Sequence, residues 1–356
     1  MRVLVTGAAG FLGTHVCKVV SSAGHEVVAV DLMLDAVHGP DAEPPAGVSR
    51  VDVRDADALV PLLAGIDVVC HLAAVSAGGP ADYATHNDLG TAALLGAMER
   101  AKVRRLVLAS SIAVYGEGRY RSVRGGPFFP GLRRRADMDR GLFDHRAPRT
   151  GDVLTWEPVN EDAPLRPRGS YGASKVAQEN YAFAWGLTVG GAVTALRLHQ
   201  VYGDGARAGL IGQVRAALDA GRAPHVFEDG GQVRDFVHVR DVAAAVLAAI
   251  ERALPGFVPL NIASGRPITL WEVASIMAEA CGGPAPVVTG EYHIGDVRHF
   301  VADPERARRT LGFSAVVAPR PGLAEFAAAP AKVAVAAAKV ASATDVAISA
   351  EGAAAG

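Results

Sequence analysis

The segment "SYGASK" places Tyr171 and Lys175 four residues apart, on one face if the segment is helical. A phenol beside an ammonium is a general acid/base pair, because the cation pulls the phenol below its ordinary value of about 10. Tyr and Lys at this spacing also occur by chance on ordinary helices, so the pair needs company. Upstream, "LASSIAVYG" carries Ser110 and Ser111 at the end of a strand-like run. A hydroxyl there can hold a substrate oxygen while the proton moves, although a simple strand-to-loop turn also explains the serines. A third group opens the chain. "VTGAAGFLG" sets Gly7, Gly10 and Gly13 between a strand and a helix, where bare backbone can approach a pyrophosphate lying on the helix N-terminus. Glycines in turns are common, and the triplet gains weight from its place. Asp31 follows within about 20 residues, ending the next strand, where a carboxylate accepts from a ribose 2′-OH and repels a 2′-phosphate. The residues after it, "LMLDAVHG", bring no Arg or Lys, which favours NAD over NADP. A turn-capping Asp is the plainer alternative.

These residues need a scaffold. "RVLVTG", "EVVAVD", "IDVVCHLAA" and "VRRLVLASS" are short strand-like runs, and "FLGTHVCKVVSSAGH" and "NDLGTAALLGAMERAK" have helical spacing. Their alternation predicts an α/β fold, a Rossmann-type doubly wound parallel sheet with helices on both faces. After Tyr202 the pattern shifts to helices such as "GLIGQVRAALDAG" and "TLWEVASIMAEACG", broken by turn-rich pieces. We read residues 1–202 as a dinucleotide-binding domain with an inserted loop at 117–160. Residues 203–316 form a smaller C-terminal substrate-binding lobe interwoven with it, and 317–356 read as an Ala-rich, low-complexity tail.

Composition narrows the partners. Of the 356 residues 50% are hydrophobic, enough for a sizeable core, and 35 basic against 37 acidic residues give a net charge of −2. That balance argues against a nucleic-acid partner. Cys17, Cys70 and Cys281 form no CxxC pair, so neither a metal site nor a disulfide framework is expected. No stretch approaches the roughly 18 consecutive apolar residues of a membrane span, and the first residues enter a strand rather than a cleavable signal. The expectation is a cytoplasmic protein with no membrane partner.

The collinear set "TGAAGFLG", "DVRD", "HLAA", "NDLGTAALL", "LASSIAVYG", "YGASK", "RLHQVYG" and "RDFVHVRDVA" resembles the extended short-chain dehydrogenase/reductase family of nucleotide-sugar epimerases, dehydratases and reductases. The resemblance runs over about residues 1–313. It implies that Gly7, Gly10 and Gly13, with Phe11 and Leu12, form the pyrophosphate loop of an NAD site. Asp31 would take the ribose and Asp52 and Val53 the adenine, while Leu72, Ala73, Ala74 and Asn87 line the cofactor. Ser111, Tyr171 and Lys175 match the catalytic hydroxyl, acid/base and lysine. Arg234 matches a residue that binds a nucleotide diphosphate, with Asp296 and Arg298 at the far end of that site. Gln200 stands where the family usually has an Asn that contacts the sugar nucleotide. For Arg234 by itself, a surface arginine is the plainer reading; in the motif, its planar fork suits phosphate. Many relatives dimerise through the Tyr-bearing helix, and "SKVAQENYAFAWGL" has apolar spacing suited to a homodimer or to a core.

The resemblance also bears on the reaction. The 4,6-dehydratases of the family carry an acidic pair after the catalytic hydroxyl; here Ile112 and Ala113 stand there and transfer no proton. A 4-epimerase that oxidises and re-reduces C4 of a dTDP-deoxyhexose such as dTDP-L-rhamnose is the leading reading. A 4-keto-6-deoxyhexose reductase is the alternative, and a catalytically silent dinucleotide-binding relative a third. The long insert resembles dTDP-L-rhamnose 4-epimerases, though it lacks the cysteines some relatives carry there. From Glu117 to Asn160 it holds nine Arg and six acidic residues, net +3. Ser111 and Tyr171 flank it and must meet, so the insert lies at the cleft. It reads as a lid, with Arg133, Arg134 or Arg135 holding a diphosphate and Phe128 and Phe129 packing it down; for each arginine, a solvated surface position is the alternative.

Overall fold

The computed structural model describes residues 1–122 and 125–330. Seven parallel strands form the central sheet: β1 (Arg2–Thr6), β2 (Glu26–Asp31), β3 (Val48–Arg50), β4 (Val68–His71), β5 (Arg105–Ser111), β6 (Ala192–Leu198) and β7 (Gly256–Ile262). Their spatial order is β7-β6-β5-β4-β1-β2-β3, so strand order reverses between β1 and β4. That reversal opens a crevice beyond the strand C-termini, the place where open α/β sheets take their ligands. The expected Rossmann-type sheet is present.

The strands are apolar because both faces are covered. Val3, Leu4, Val5 and Val69 are fully buried. On one face α1 (Phe11–Ser22) packs with α4 (Val239–Glu251), joining Val16 and Val20 to Val242, Val246 and Ile250 in one core. On the other face α2 (Leu89–Arg100) and α3 (Ser170–Val189) join Leu94 and Met98 to Trp185 in a second core. Residues 236–263 thus return to the sheet through α4 and β7, which is how the two lobes interweave.

The C-terminal lobe has its own core around α5 (Leu270–Cys281), with Val273 and Met277 at 0% exposure. Here one expectation is corrected. The tail was placed from 317, but Pro319–Ala328 is a helix, α6, that buries Leu323 and Ala327 against this core. Its small residues permit close approach: a side chain at Gly322 would stand 2.1 Å from the Tyr202 hydroxyl. The rest of the Ala-rich segment, 331–356, lies outside the described residues. The insert is likewise built. Arg119–Arg121 pairs with Pro127–Phe128 and Thr155–Glu157 in a small antiparallel sheet, and Tyr120 is wholly buried beneath it.

Candidate active site

Three successive residues at the end of β5 meet three successive turns of α3. The Ser111 hydroxyl hydrogen-bonds Tyr171. The Ala109 carbonyl accepts from Lys175 Nζ at 3.0 Å, and Ser110 donates to Glu179. Tyr171, Lys175 and Glu179 recur every four residues, so they stack along one helical face. The helix can come this close because position 172 is glycine; a Cβ there would lie 2.6 Å from the Ala113 carbonyl. The structure therefore brings together the hydroxyl, phenol and ammonium that lie far apart in sequence.

Burial sets the charge state of this group. Lys175 is 3% exposed, and burial brings its ammonium down to about 8, while Glu179 and Asp88 hold it up. The phenol of Tyr171 is pushed up to about 12 by burial, against the Ser111 hydrogen bond, which lowers it. The sequence argument had the ammonium depressing the phenol. Instead Lys175 Nζ points to the Ala109 carbonyl and stands 5.8 Å from the Tyr171 ring centre, and desolvation dominates. The Tyr171 ring also meets Tyr83, at 5.9 Å between centres.

The cofactor end of the cleft fits a dinucleotide. Gly7 adopts φ +69°, and a Cβ there would lie 2.7 Å from the Ala73 amide, in the turn after β4. A Cβ on Gly13 would lie 2.0 Å from the Gly7 carbonyl, so these two glycines let β1 turn directly into α1. A Cβ on Gly10 would crowd the Gly7 carbonyl at 3.2 Å, and Gly10 opens a helix whose first turn carries neither a side-chain cap nor an acidic residue. The free N–H groups of that turn suit a pyrophosphate. Phe11 and Leu12 form its first turn, with Phe11 edge-on to His15. Asp31 ends β2, where its carboxylate accepts from Ala9 N at 3.0 Å and Met33 N at 2.8 Å. A carboxylate offers about four acceptor sites, so capacity remains for a ribose. Asp52 lies in a bidentate pair with Arg54, at 2.9 and 2.6 Å, whose hydrogen bond lowers its carboxyl; Val53 packs beside Gly90. Leu72, Ala73 and Ala74 rise from β4 beside the glycine loop.

Asn87 also braces the scaffold of the site. It is 0% exposed, its Oδ1 accepts from Val75 N, and its Nδ2 donates to Val75 O and to Ser174 Oγ at 3.0 Å. Asn87 thereby ties the loop after β4 to α3, and its Oδ1 keeps one acceptor site.

At the substrate end, Arg234 donates to the carbonyls of Val233, Val297 and Arg298 and, among the described residues, pairs with no carboxylate. Its charge remains available. Arg298 does not: it engages Asp144 at 2.7 Å, Glu228 at 2.9 Å and Asp229 at 2.6 Å. Three carboxylates thus surround its guanidinium. Arg133 is 7% exposed and pairs with Glu228 at 2.6 Å while donating to Phe143 O and Asp296 O. Arg134 pairs with Asp137 on the surface, and Arg135 begins a four-residue helix. Arg133 thus bonds protein groups and ties the insert to the C-terminal lobe through Glu228. Phe129 packs with Ile112 and Val297 against the core around Tyr115 and Phe300, while Phe128 lies in the small sheet. Asp296 is partly buried, which raises its carboxyl. Gln200 is exposed at the mouth, its backbone paired with Phe236.

Residues 3–129 and 149–263 match the model of the NAD dependent epimerase/dehydratase family. The chain belongs to that family. A dTDP-L-rhamnose 4-epimerase of Burkholderia thailandensis is 31% identical over 88% of this chain and 90% of its own length. A UDP-glucose 4-epimerase of Mycolicibacterium smegmatis is also 31% identical, over 91% and 97%. The solved structure of MoeE5 in complex with UDP-glucuronic acid and NAD superposes with a TM-score of 0.73 at 32% identity, covering 92% of this chain and 98% of that one. The protein is therefore an NAD-dependent enzyme of the nucleotide-sugar epimerase/dehydratase type, and among the described residues no helix is long and apolar enough to cross a membrane.

Family membership throws the unlisted partners of the site into relief. Glu179 is buried and takes a bidentate pair from Arg197, at 3.0 and 2.7 Å; Arg197 also donates to the Tyr115 hydroxyl at 2.7 Å. Beneath the glycine loop, buried His71 bridges Thr6 and Thr91, and burial lowers it to about 3, so it is neutral. Sequence reading missed these residues. The signals were an acid one turn beyond Lys175 on its face, and a lone arginine inside the apolar strand "AVTALRL".

Proposed function

We propose that this protein is a 4-epimerase of dTDP-linked hexoses, with a 6-deoxy sugar such as dTDP-L-rhamnose as substrate. The observation that carries the reading is the turn Ile112–Val114 directly after Ser111, which holds apolar side chains where an elimination needs an acid and a base. Phe129 and Val297 pack beside that turn against the same apolar core. The similarity to the Burkholderia enzyme supports the same sugar, while the equal identity of the UDP-glucose 4-epimerase makes the base and sugar the points to test.

In this reading Gly7, Gly10, Gly13 and Asp31 hold NAD, with Asp52, Val53 and Leu72–Ala74 along its length. When bound, NAD supplies the two-electron acceptor for sugar C4 and, in its oxidised form, a positive charge. Tyr171 takes the proton from the C4 hydroxyl and later returns it; Ser111 fixes the direction of that transfer by hydrogen-bonding the same oxygen. Lys175 supports the phenolate with its charge. Arg234 holds the diphosphate at the other end, near Gln200 and Asp296, so the sugar swings about a fixed anchor and presents either face of C4. Tyr181 (48% exposed) and Leu187 (69%) on α3, with Leu89 (53%) on α2, leave an apolar face that suits a cytoplasmic homodimer, to be checked by mass in solution.

The deciding experiment is a panel of dTDP- and UDP-sugars followed by NMR at C4, with and without added cofactor. Inversion of dTDP-L-rhamnose without added NAD(P)H is the expected result. Turnover only of UDP-glucose would move the substrate assignment, and stoichiometric NADPH consumption with a 4-keto sugar would replace the epimerase with the reductase.

A further inference from the structure

The helix before α2 is interrupted. Ala84–Asp88 forms a π-turn, a wide turn that in proteins clusters at functional sites. It lies against α3 on both sides of the catalytic lysine. Asn87 donates to Ser174, the residue before Lys175, and Gln178, one turn after it, donates to the Asn87 carbonyl at 3.3 Å and to Thr91 at 2.6 Å. Asp88, next to Asn87, lies in the same turn clamped on α3 on either side of Lys175, within electrostatic reach of its ammonium. Its Oδ1 is buried and accepts no hydrogen bond, and Gln178 Oε1 in the same layer is also without a donor. The ammonium has three donors and spends one on Ala109 O.

The charges around Lys175 can be assigned one by one. From its own helix come Tyr171 and Glu179, and Glu179 is matched by Arg197. From β4 comes His71, which is neutral. Tyr83 meets the Tyr171 ring, and Arg54, near Gly90, is matched by Asp52, on which His86 also acts. Asp88 is the carboxylate left over: among the described residues it has no ion pair within 4 Å. Burial raises its carboxyl and Lys175 offsets part of that rise, while Glu179 first and Asp88 second hold the Lys175 ammonium up.

We propose that Asp88 is a positioning residue for the catalytic centre, its carboxylate keeping Lys175 an ammonium beside Tyr171. This rests on Tyr171 and Lys175 being the catalytic pair. The test is the pH profile of kcat for Asp88→Asn, with Asp88→Ser as a second neutral variant and Asp88→Glu as the conservative one. An opposite charge at close range moves a neighbour by about one unit or more, so the alkaline limb should shift to lower pH by about one unit in the neutral variants. It should stay at the native position in Asp88→Glu. An unshifted limb in both neutral variants, or an equal shift in all three, overturns the proposal. Lys175→Met separates the two levels: native turnover there removes the catalytic reading itself, whereas loss of turnover together with an unshifted Asp88→Asn profile removes only the role of Asp88.

Discussion

At the end of β5, Lys175 gives one hydrogen bond to a carbonyl and Tyr171 meets a single hydroxyl. Under the insert, Arg298 alone engages three carboxylates, and Glu117 accepts from Tyr120, Arg168 and three backbone amides with His145 beside it. Both regions are buried and polar. They differ in how their charge is spent: the first keeps charge in reserve, whereas in the second each of these charges is matched by an opposite one, although Arg119 Nε and Arg133 Nε are buried without a hydrogen-bond acceptor. For Glu117 burial alone would raise the carboxyl, but His145, Arg168 and the Arg298 amide hold it down at about 2. A charge-matched network fixes a shape, whereas unmatched charge leaves capacity for a substrate. By that measure Arg234 belongs with the catalytic region and Arg133 and Arg298 do not.

The largest effect should follow from removing the reserve. Tyr171→Phe deletes the hydroxyl that moves the proton and leaves the buried ring in place against Tyr83. Positioned acid/base groups contribute about 10²- to 10⁴-fold, so kcat should fall by that factor while retained cofactor and the unfolding midpoint stay close to native. Steady-state kinetics with a cofactor assay check this. Native turnover in the variant would move the proton transfer to another residue and end the distinction drawn between the two regions.

Next comes the charge-matched side. Glu228 is 0% exposed and joins Arg133 of the insert to Arg298 of the lobe, at 2.6 and 2.9 Å. Glu228→Gln leaves the Arg133 charge buried with only carbonyls to meet. Removing one partner of a buried pair costs about 3–5 kcal/mol, which urea unfolding should register, with new protease cuts between Pro127 and Arg146. Unchanged stability and protease resistance would mean that the insert is held by its apolar contacts through Phe129 instead.

Much of the catalytic region was legible before any coordinates, because local rules carry it. The glycine turn, the acid ending β2 and the Tyr–Lys spacing each follow from backbone geometry within one βα unit. The insert was not legible in that way. Whether Arg133, Arg234 or Arg298 is free depends on Glu228, Asp229 and Asp144, which come from segments distant in sequence, and nothing local announces such pairs. The tether through Asn87 was hidden for the same reason, since its amide joins Val75 to Ser174, from the far side of the insert. The α6 helix was hidden differently: its Ala and Gly content reads as low complexity, yet small residues are what the contact with Tyr202 requires.

The smallest effect is the one that separates basic sequence from anion binding. Arg134 is 81% exposed at its side chain, and its partner Asp137 is shared with Arg140. Such surface pairs contribute little and are screened by salt. Replacing Arg134 and Arg135 together by Ala should therefore leave KM for the nucleotide sugar within about twofold, well inside what rim charges change. Arg234→Ala, with the same loss of charge per residue, should raise KM about ten- to a hundredfold, the range for one charge-assisted hydrogen bond to a buried phosphate. The double variant removes two positive charges and Arg234→Ala only one, so general electrostatic attraction would move KM at least as far in the double variant. A rise in KM for the double variant that matches Arg234→Ala would return the insert to the role of a phosphate-holding lid, and the reserve of charge at Arg234 would no longer set it apart.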